Sequence, residues 1–312
     1  MADILIVGSG AMALLFGSRL AASGQQVTLL GTWKKGIEAI NQSGIQVFGD
    51  QQKVGFPARG VTDLSELPPV KLALFLVKSW QTERAAKQLA QILDPDGIVL
   101  SLQNGLGNLE KLGEILGEGR VAIGVTTYGA TLIGPGVVRP GGEGVISLQN
   151  HPGLDPLINC LKQSGFSVQV EEDLLGLIWS KLIINVAINP LTALLNVNNG
   201  QLLENKYSKD LMSRAAREAR NVARALGIEP GYEDPVPTVE AVAAATADNI
   251  SSMLQDIRRG APTEIDALCG AVLRAGRSVN LKTPVNEDML LLIQARESIT
   301  RIIENENSDN FG

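Results

Sequence analysis

The run DILIVGSGAMALLF, residues 3–16, passes from a continuous apolar strand pattern to a helical one across a glycine-rich turn. That switch constrains the whole N-terminal half. Gly8, Gly10 and Ala13 have the spacing G-x-G-x-x-G/A between strand and helix. In this spacing the first glycine permits a tight turn, the second lets a phosphate approach the backbone, and the small third residue keeps strand and helix close. The helix N-terminus behind them favours negative charge. Gly8, Ser9, Gly10, Ala11, Met12 and Ala13 are therefore the candidate cradle of a dinucleotide pyrophosphate. The bland alternative is a tight turn and nothing more.

The pattern continues. Strand-like runs QVTLLG (26–31), LALFLVK (72–78), GIVLSLQ (97–103) and RVAIGVT (120–126) alternate with helical segments. Continuous apolar strands separated by helices indicate a parallel sheet covered on both faces. GIQVFGDQQKVGFP reads as an antiparallel hairpin, and GVVRPGGEGVISLQ as another around Pro140–Gly142. From about residue 172 strand signals vanish. Helical periodicity then spans 173–189, 208–226, 238–258, 263–279 and 285–304, with Pro284 placed to open the last helix and the tail NENSDNFG expected to fray. The expectation is an α/β Rossmann-type domain with a mostly parallel sheet (1–172), followed by an all-α domain (173–312).

Composition narrows the function. A net charge of −6 without a basic block, and only 4 % aromatics, argue against nucleic acid as partner. Cys160 and Cys269 are too far apart in sequence to suggest a metal site or a disulfide scaffold. The N-terminus lacks a signal-peptide pattern and no run of about 18 apolar residues stands out, so the expected compartment is the cytoplasm, without a membrane partner. An apolar face on the last helices would fit a homodimer or an intramolecular core. The single histidine, His151, sits in the turn-rich QNHPGLDP and reads as structural. Any acid–base chemistry must then come from another side chain.

Three places near strand ends carry candidate ligands. After the second strand there is no carboxylate to hold a ribose hydroxyl; Thr32, Lys34 and Lys35 suit a 2′-phosphate and favour NADP over NAD, with a solvated lysine pair opening a helix as the alternative. Lys78 and Asn104 end two further strands, where open α/β sheets bind ligands; each could be ordinary surface or turn.

In WSKLIINVAINP (179–190), Lys181, Asn185 and Asn189 recur at i, i+4, i+8 and so form one stripe on a helix otherwise apolar and suited to burial. A lysine there is costly unless matched by polar partners, and burial makes it a better proton donor. Snorkelling at a helix edge is the alternative, and Pro190 discourages helix at Asn189. Asn199-Gly200 is by default a turn. Thr263 as N-cap would put Glu264 in a first helical turn, where the dipole stabilises a carboxylate. Ser252 is one hydroxyl on a mostly apolar helix; Asp256 and Arg258 read as an ion pair.

The stretches VGSGAMA, LVKSWQT, QNGLGN, WSKLIINVAINPLTALLNVNNG and DNISSMLQDIRRGAPTEIDALCG make the chain resemble the ketopantoate reductase (2-dehydropantoate 2-reductase) family over nearly its whole length. The resemblance implies a Rossmann domain followed by a helical one, with an active site in the cleft between them. It also implies NADPH-dependent reduction of ketopantoate to (R)-pantoate, a step towards pantothenate and coenzyme A. On this resemblance Lys181 is the general acid and Glu264 binds the substrate hydroxyl. Asn185, Asn189, Asn199 and Ser252 bind substrate, and Lys78 and Asn104 bind cofactor or substrate. Two positions depart from the family's pattern: Thr32 stands where some members carry an arginine, and Tyr128 where a histidine is common. Alternatives are reduction of a different branched 2-keto acid on the same scaffold, and a non-catalytic NAD(P)-binding sensor.

Overall fold

Alternate residues of the first strand pack on opposite faces of its sheet: Ile4 and Ile6 join one apolar core, Leu5 and Val7 another. This is the signature of a strand buried on both sides, and it explains the unbroken apolar run. The computed structural model describes residues 3–49 and 52–309, and side chains up to residue 299. The chain divides into two units, Met1–Gln103 with Asn108–Leu174, and Asn104–Gly107 with Leu175–Gly312.

In chain order the first unit comprises β1 (Asp3–Val7), α1 (Ala11–Ala22), β2 (Gln26–Leu30), α2 (Lys34–Ser43), β3 (Ile45–Phe48), β4 (Lys53–Phe56) and β5 (Arg59–Val61). There follow β6 (Val70–Phe75), α3 (Thr82–Leu89), β7 (Leu93–Ser101), α4 (Asn108–Leu116), β8 (Val121–Thr126) and β9 (Ala130–Gly134). It ends with β10 (Val137–Pro140), β11 (Ile146–Gln149), α5 (Asp155–Gln163) and β12 (Val168–Glu171). The main sheet has the order β12-β11-β8-β7-β6-β1-β2-β5. All its neighbours pair in parallel except β8 with β11. From β1 the chain first builds outward through β2 and β5, then returns to β6 on the other side. That reversal makes the carboxyl ends of β1 and β6 a topological switch point, the usual ligand position in such sheets. α1 covers one face with Leu14, Phe16 and Leu20; α3 and α4 cover the other with Ala86, Leu89 and Leu112.

The hairpin expected at 44–57 is present as β3–β4; residues 50 and 51 lie outside the described residues. The second expected hairpin is not formed. β10 pairs with β9 and β3 in a separate four-stranded sheet, whereas β11 joins the main sheet beside β8 and β12. Both runs have strand composition, but their partners are remote in sequence, which local turn signals cannot reveal.

The second unit is built around α6 (Leu174–Leu195), with α7 (Lys206–Ala225), α8 (Val236–Ala245), α9 (Ser252–Arg258), α10 (Cys269–Ser278) and α11 (Pro284–Asp309). α6 is long and apolar enough to cross a bilayer by length and composition, but here its Trp179, Leu182, Ile183, Val186 and Leu191 are the core. Burying each such side chain contributes about 1.5–3 kcal/mol. Small residues of α7, Ala215, Ala216, Ala219 and Ala223, pack into that core with them.

Four expectations are corrected here. α6 does not stop before Pro190 but continues to Leu195. The proline removes one helical hydrogen bond, while Thr192 Oγ1 donates to the carbonyls of Ile188 (3.0 Å) and Asn189 (2.9 Å), and the flanking residues stay buried. The helix expected at 238–258 is two, α8 and α9. Helix α10 starts at Cys269 and not near Thr263; Glu264 lies in the preceding turns, where Thr263 Oγ1 accepts from the Ile265 N–H at 3.3 Å. The tail expected to fray is helical to Asp309; residues 310–312 lie outside the described residues.

Candidate active site

The glycine loop meets β6 so closely that only glycine fits at its first position. Gly8 has φ +131°, and a Cβ there would stand 3.1 Å from the carbonyl of Leu76. Nothing lies within 4 Å of the corresponding point on Gly10, which is the N-cap residue of α1. That helix has neither a side-chain cap nor an acidic residue in its first turn. Ala13 is fully buried against the sheet. A pyrophosphate fits this arrangement: the approach over Gly10 is open among the described residues, and a helix N-terminus with no acidic residue in its first turn favours an anion. Gly8–Ala13 thus form the strand–glycine–helix turn the spacing predicts.

Lys78 follows β6 and begins a short 3-10 turn, Ser79–Gln81; its N–H donates to Gln81 Oε1 at 3.3 Å. Thr32, Lys34 and Lys35 are exposed beyond the end of β2, with Lys34 opening α2. Arg84, which the sequence reading did not single out, brings its Nη2 to 3.5 Å from Thr32 Oγ1. No signal in the sequence links α3 to the end of β2; the sheet order does.

In the second unit three polar residues remote in sequence converge. Asn104 Nδ2 donates to Glu264 Oε2 at 3.4 Å, and the Glu264 carboxylate acts electrostatically on Lys181. The junction that holds Asn104 is tight. Gly105 (φ +85°) lies so near Ala267 that a Cβ would be 2.3 Å from its carbonyl oxygen, and the Leu106 N–H donates to that same oxygen at 3.3 Å. Glu264 is only 7 % exposed. Lys181 is partly buried on α6, and loss of hydration brings its pKa down from 10.5 to about 8, with Glu264 opposing the fall. An ammonium poised near neutrality beside a fixed carboxylate can give up a proton readily and be recharged.

Asn185 is partly buried on the same helix, and Asn189 and Asn199 are buried. Asn199 does not sit in a free turn. Its Nδ2 donates to Thr246 Oγ1 at 2.9 Å, while its buried Oδ1 has no partner among the described residues. Ser252 is exposed at the first position of α9; Ser251, beside it, is the buried N-cap, accepting from the Leu254 N–H at 3.1 Å and bonding Thr192 Oγ1 at 2.7 Å. The expected Asp256–Arg258 pair is not formed. Buried Asp256 pairs instead with Arg259 at 2.6 Å, the i, i+3 neighbour, and Arg258 donates to Asn196 Oδ1 at 3.1 Å.

His151 caps a short turn. Its Nδ1 accepts from the Gly153 N–H, so Nε2 carries the proton facing the Gly119 carbonyl at 3.1 Å. Tyr128 is a core residue, its ring edge-on to Phe166 and its hydroxyl accepting from the Ser167 N–H at 3.1 Å. Neither is arranged for chemistry.

Both halves of the chain are similar to known proteins. The family model described as ketopantoate reductase PanE/ApbA matches residues 4–153, and that described as ketopantoate reductase PanE/ApbA C terminal matches 173–297. A 2-dehydropantoate 2-reductase of Pyrococcus horikoshii is 36 % identical over 95 % of this chain and 98 % of its own. One of Halobacterium salinarum is 33 % identical over 93 % and 97 %. Among solved structures, a PanE/ApbA family ketopantoate reductase from Ralstonia eutropha superposes with TM-score 0.89 at 29 % identity, covering 96 % of this chain and 100 % of that one. A D-mandelate dehydrogenase in ternary complex with NADH and anilino(oxo)acetate superposes at 0.88 with 27 % identity, covering 96 % and 99 %. With both halves matched by family models and relatives above 30 % identity along nearly its whole length, the chain belongs to the ketopantoate reductase family.

Proposed function

We propose that the protein reduces 2-dehydropantoate to (R)-pantoate with NADPH, a step that feeds pantothenate and coenzyme A synthesis. The observation that carries this reading is the Lys181 ammonium, lowered to a pKa of about 8 by burial and set beside Glu264, itself bonded by Asn104. When bound, the nicotinamide supplies the hydride that adds to the keto carbon. Negative charge then grows on the carbonyl oxygen, and stabilising that charge lowers the barrier. Lys181 hydrogen-bonds this oxygen and delivers the proton from Nζ as the alkoxide forms. Glu264 accepts from the terminal hydroxyl of the substrate and keeps the lysine charged between turnovers. Ser252 and Asn104 hold the substrate carboxylate, and Asn185, Asn189 and Asn199 offer neutral donors and acceptors that fix its orientation without adding charge. Gly8–Ala13 bind the pyrophosphate; Lys78, Thr32 and Lys34 bind the remainder of the cofactor. The cytoplasm is the proposed compartment, which suits two buried, unbridged cysteines.

Spectrophotometric NADPH oxidation with 2-dehydropantoate, run beside NADH, tests the proposal. Absence of turnover with this substrate overturns it. A second reading, reduction of another 2-keto acid, is favoured by the D-mandelate dehydrogenase superposition, nearly as good as that with the reductase. A panel of branched and aryl 2-keto acids separates the two by kcat/KM.

A further inference from the structure

We infer that Arg84, on α3, is the residue that selects a 2′-phosphorylated cofactor, taking over a task usually given to a side chain at the end of the second strand. The inference rests on the NADPH reading above and concerns which residue enforces it.

Four observations meet at one place. The residues that end β2, Leu30, Gly31 and Thr32, include no carboxylate to hold a ribose 2′-hydroxyl and no arginine to hold a phosphate. Into that position reaches the guanidinium of Arg84, 3.5 Å from Thr32 Oγ1, from a helix that begins just beyond the carboxyl end of β6. The acid beside it does not neutralise it, because Glu83 is engaged with Lys87 at 2.6 Å. Finally, α2 starts with Lys34 and Lys35 and has neither an acidic residue in its first turn nor a side-chain cap. Cations at a helix N-terminus oppose the macrodipole, and a bound anion relieves that opposition. The Thr32 hydroxyl, the Arg84 fork and the α2 N-terminus therefore form one anion-binding corner. A phosphomonoester on the adenosine ribose is the group of matching charge and size, and the planar fork can grip two of its oxygens at once.

Arg84 is remote from Thr32 in sequence, and it comes within reach only because β1 lies between β2 and β6 in the sheet. An exposed arginine on a short helix carries no sign of this in the sequence.

Equilibrium binding of NADPH, NADH and 2′,5′-ADP, measured by calorimetry or protein-fluorescence quenching, tests the assignment without reference to turnover. In the unaltered protein NADPH should bind more tightly than NADH. Arg84→Ala should weaken NADPH and 2′,5′-ADP by about 10- to 100-fold, the loss of a charge-assisted contact, and leave the NADH dissociation constant unchanged. Arg84→Lys should recover only part of the loss, and the NADPH advantage should shrink as salt rises. An unchanged melting temperature shows that the variants fold. If the unaltered protein discriminates and Arg84→Ala keeps the full preference, the assignment to Arg84 is overturned while the NADPH reading stands. If the unaltered protein does not discriminate at all, the NADPH reading fails and this inference with it.

Discussion

Asn104 and Glu264, 160 residues apart in sequence, are joined by a hydrogen bond of 3.4 Å within the helical unit. The tetrapeptide Asn104–Gly107 thereby belongs with helices from the far end of the chain, although the residues on either side of it belong to the β-sheet unit. Placing an amide against the carboxylate satisfies a buried acceptor that would otherwise be costly. It also leaves Glu264 oriented where it can act on Lys181.

Removing the lysine separates chemistry from binding. Lys181→Ala should lower kcat by about 10²- to 10⁴-fold, the range for loss of a general acid. The NADPH dissociation constant should change by less than about threefold, since the pyrophosphate cradle is built from other residues. Steady-state kinetics and a fluorescence titration on the same variant check both. Turnover at the unaltered rate would remove Lys181 from the mechanism.

The reaction should report the lysine's pKa. Reduction needs the ammonium, so kcat/KM should fall as pH rises through about 8, the value burial imposes on Lys181. Glu264 raises that value, so Glu264→Gln should move the alkaline limb to lower pH. A pH–rate profile of the two proteins decides it; a limb that stays in place denies the coupling.

Stability should follow the same group with a definite sign. The folded pKa of Lys181 lies below that of the unfolded chain. Below pH 8 both states hold the proton and the native state bears the full desolvation penalty. Between about 8 and 10.5 the unfolded chain binds more protons, so stability rises with pH, by at most about 3 kcal/mol. Lys181→Met should lose this rise and be more stable than the unaltered protein at pH 7. Denaturant titrations at pH 7 and pH 10 measure the difference.

Glu218 should prove to be a cap supplied from another helix. Its two oxygens accept from the N–H groups of Val285 and Asn286, both at 3.0 Å, at the start of α11, and from the Asn286 side chain at 2.9 Å. Glu218→Ala should lower stability by about 1–3 kcal/mol, because these buried donors lose their acceptor. Gly105→Ala should cost as much or more, since its Cβ collides with Ala267 and its φ is positive. Thermal melts check both, and Gly105→Ala should also raise KM by displacing Asn104.

Much of this protein was legible in its residues. The strand–glycine–helix switch at Gly8–Ala13, the α/β alternation and the change to helices near residue 172 are local patterns, set by side-chain period and backbone sterics, and each appears in the structure. The Lys181–Asn185–Asn189 stripe also follows from period alone.

What only the tertiary structure decided was where backbone groups find remote partners. The pattern at 238–258 reads as one helix. The chain opens between Ala245 and Ser252 because carbonyls there are claimed from outside: Asn249 O by the Asn199 N–H and Ala247 O by the Gly200 N–H, each at 3.1 Å. Likewise the Ala267 carbonyl accepts from the Leu106 N–H at 3.3 Å, a partner outside the helix, and α10 begins only at Cys269. A helix written in local propensity yields when a distant segment satisfies the same donors and acceptors while packing a core. The encounters of Asn104 with Glu264 and of Thr32 with Arg84 have the same origin. Their residue types are unremarkable, and their meaning lies in which strands and helices the topology makes neighbours.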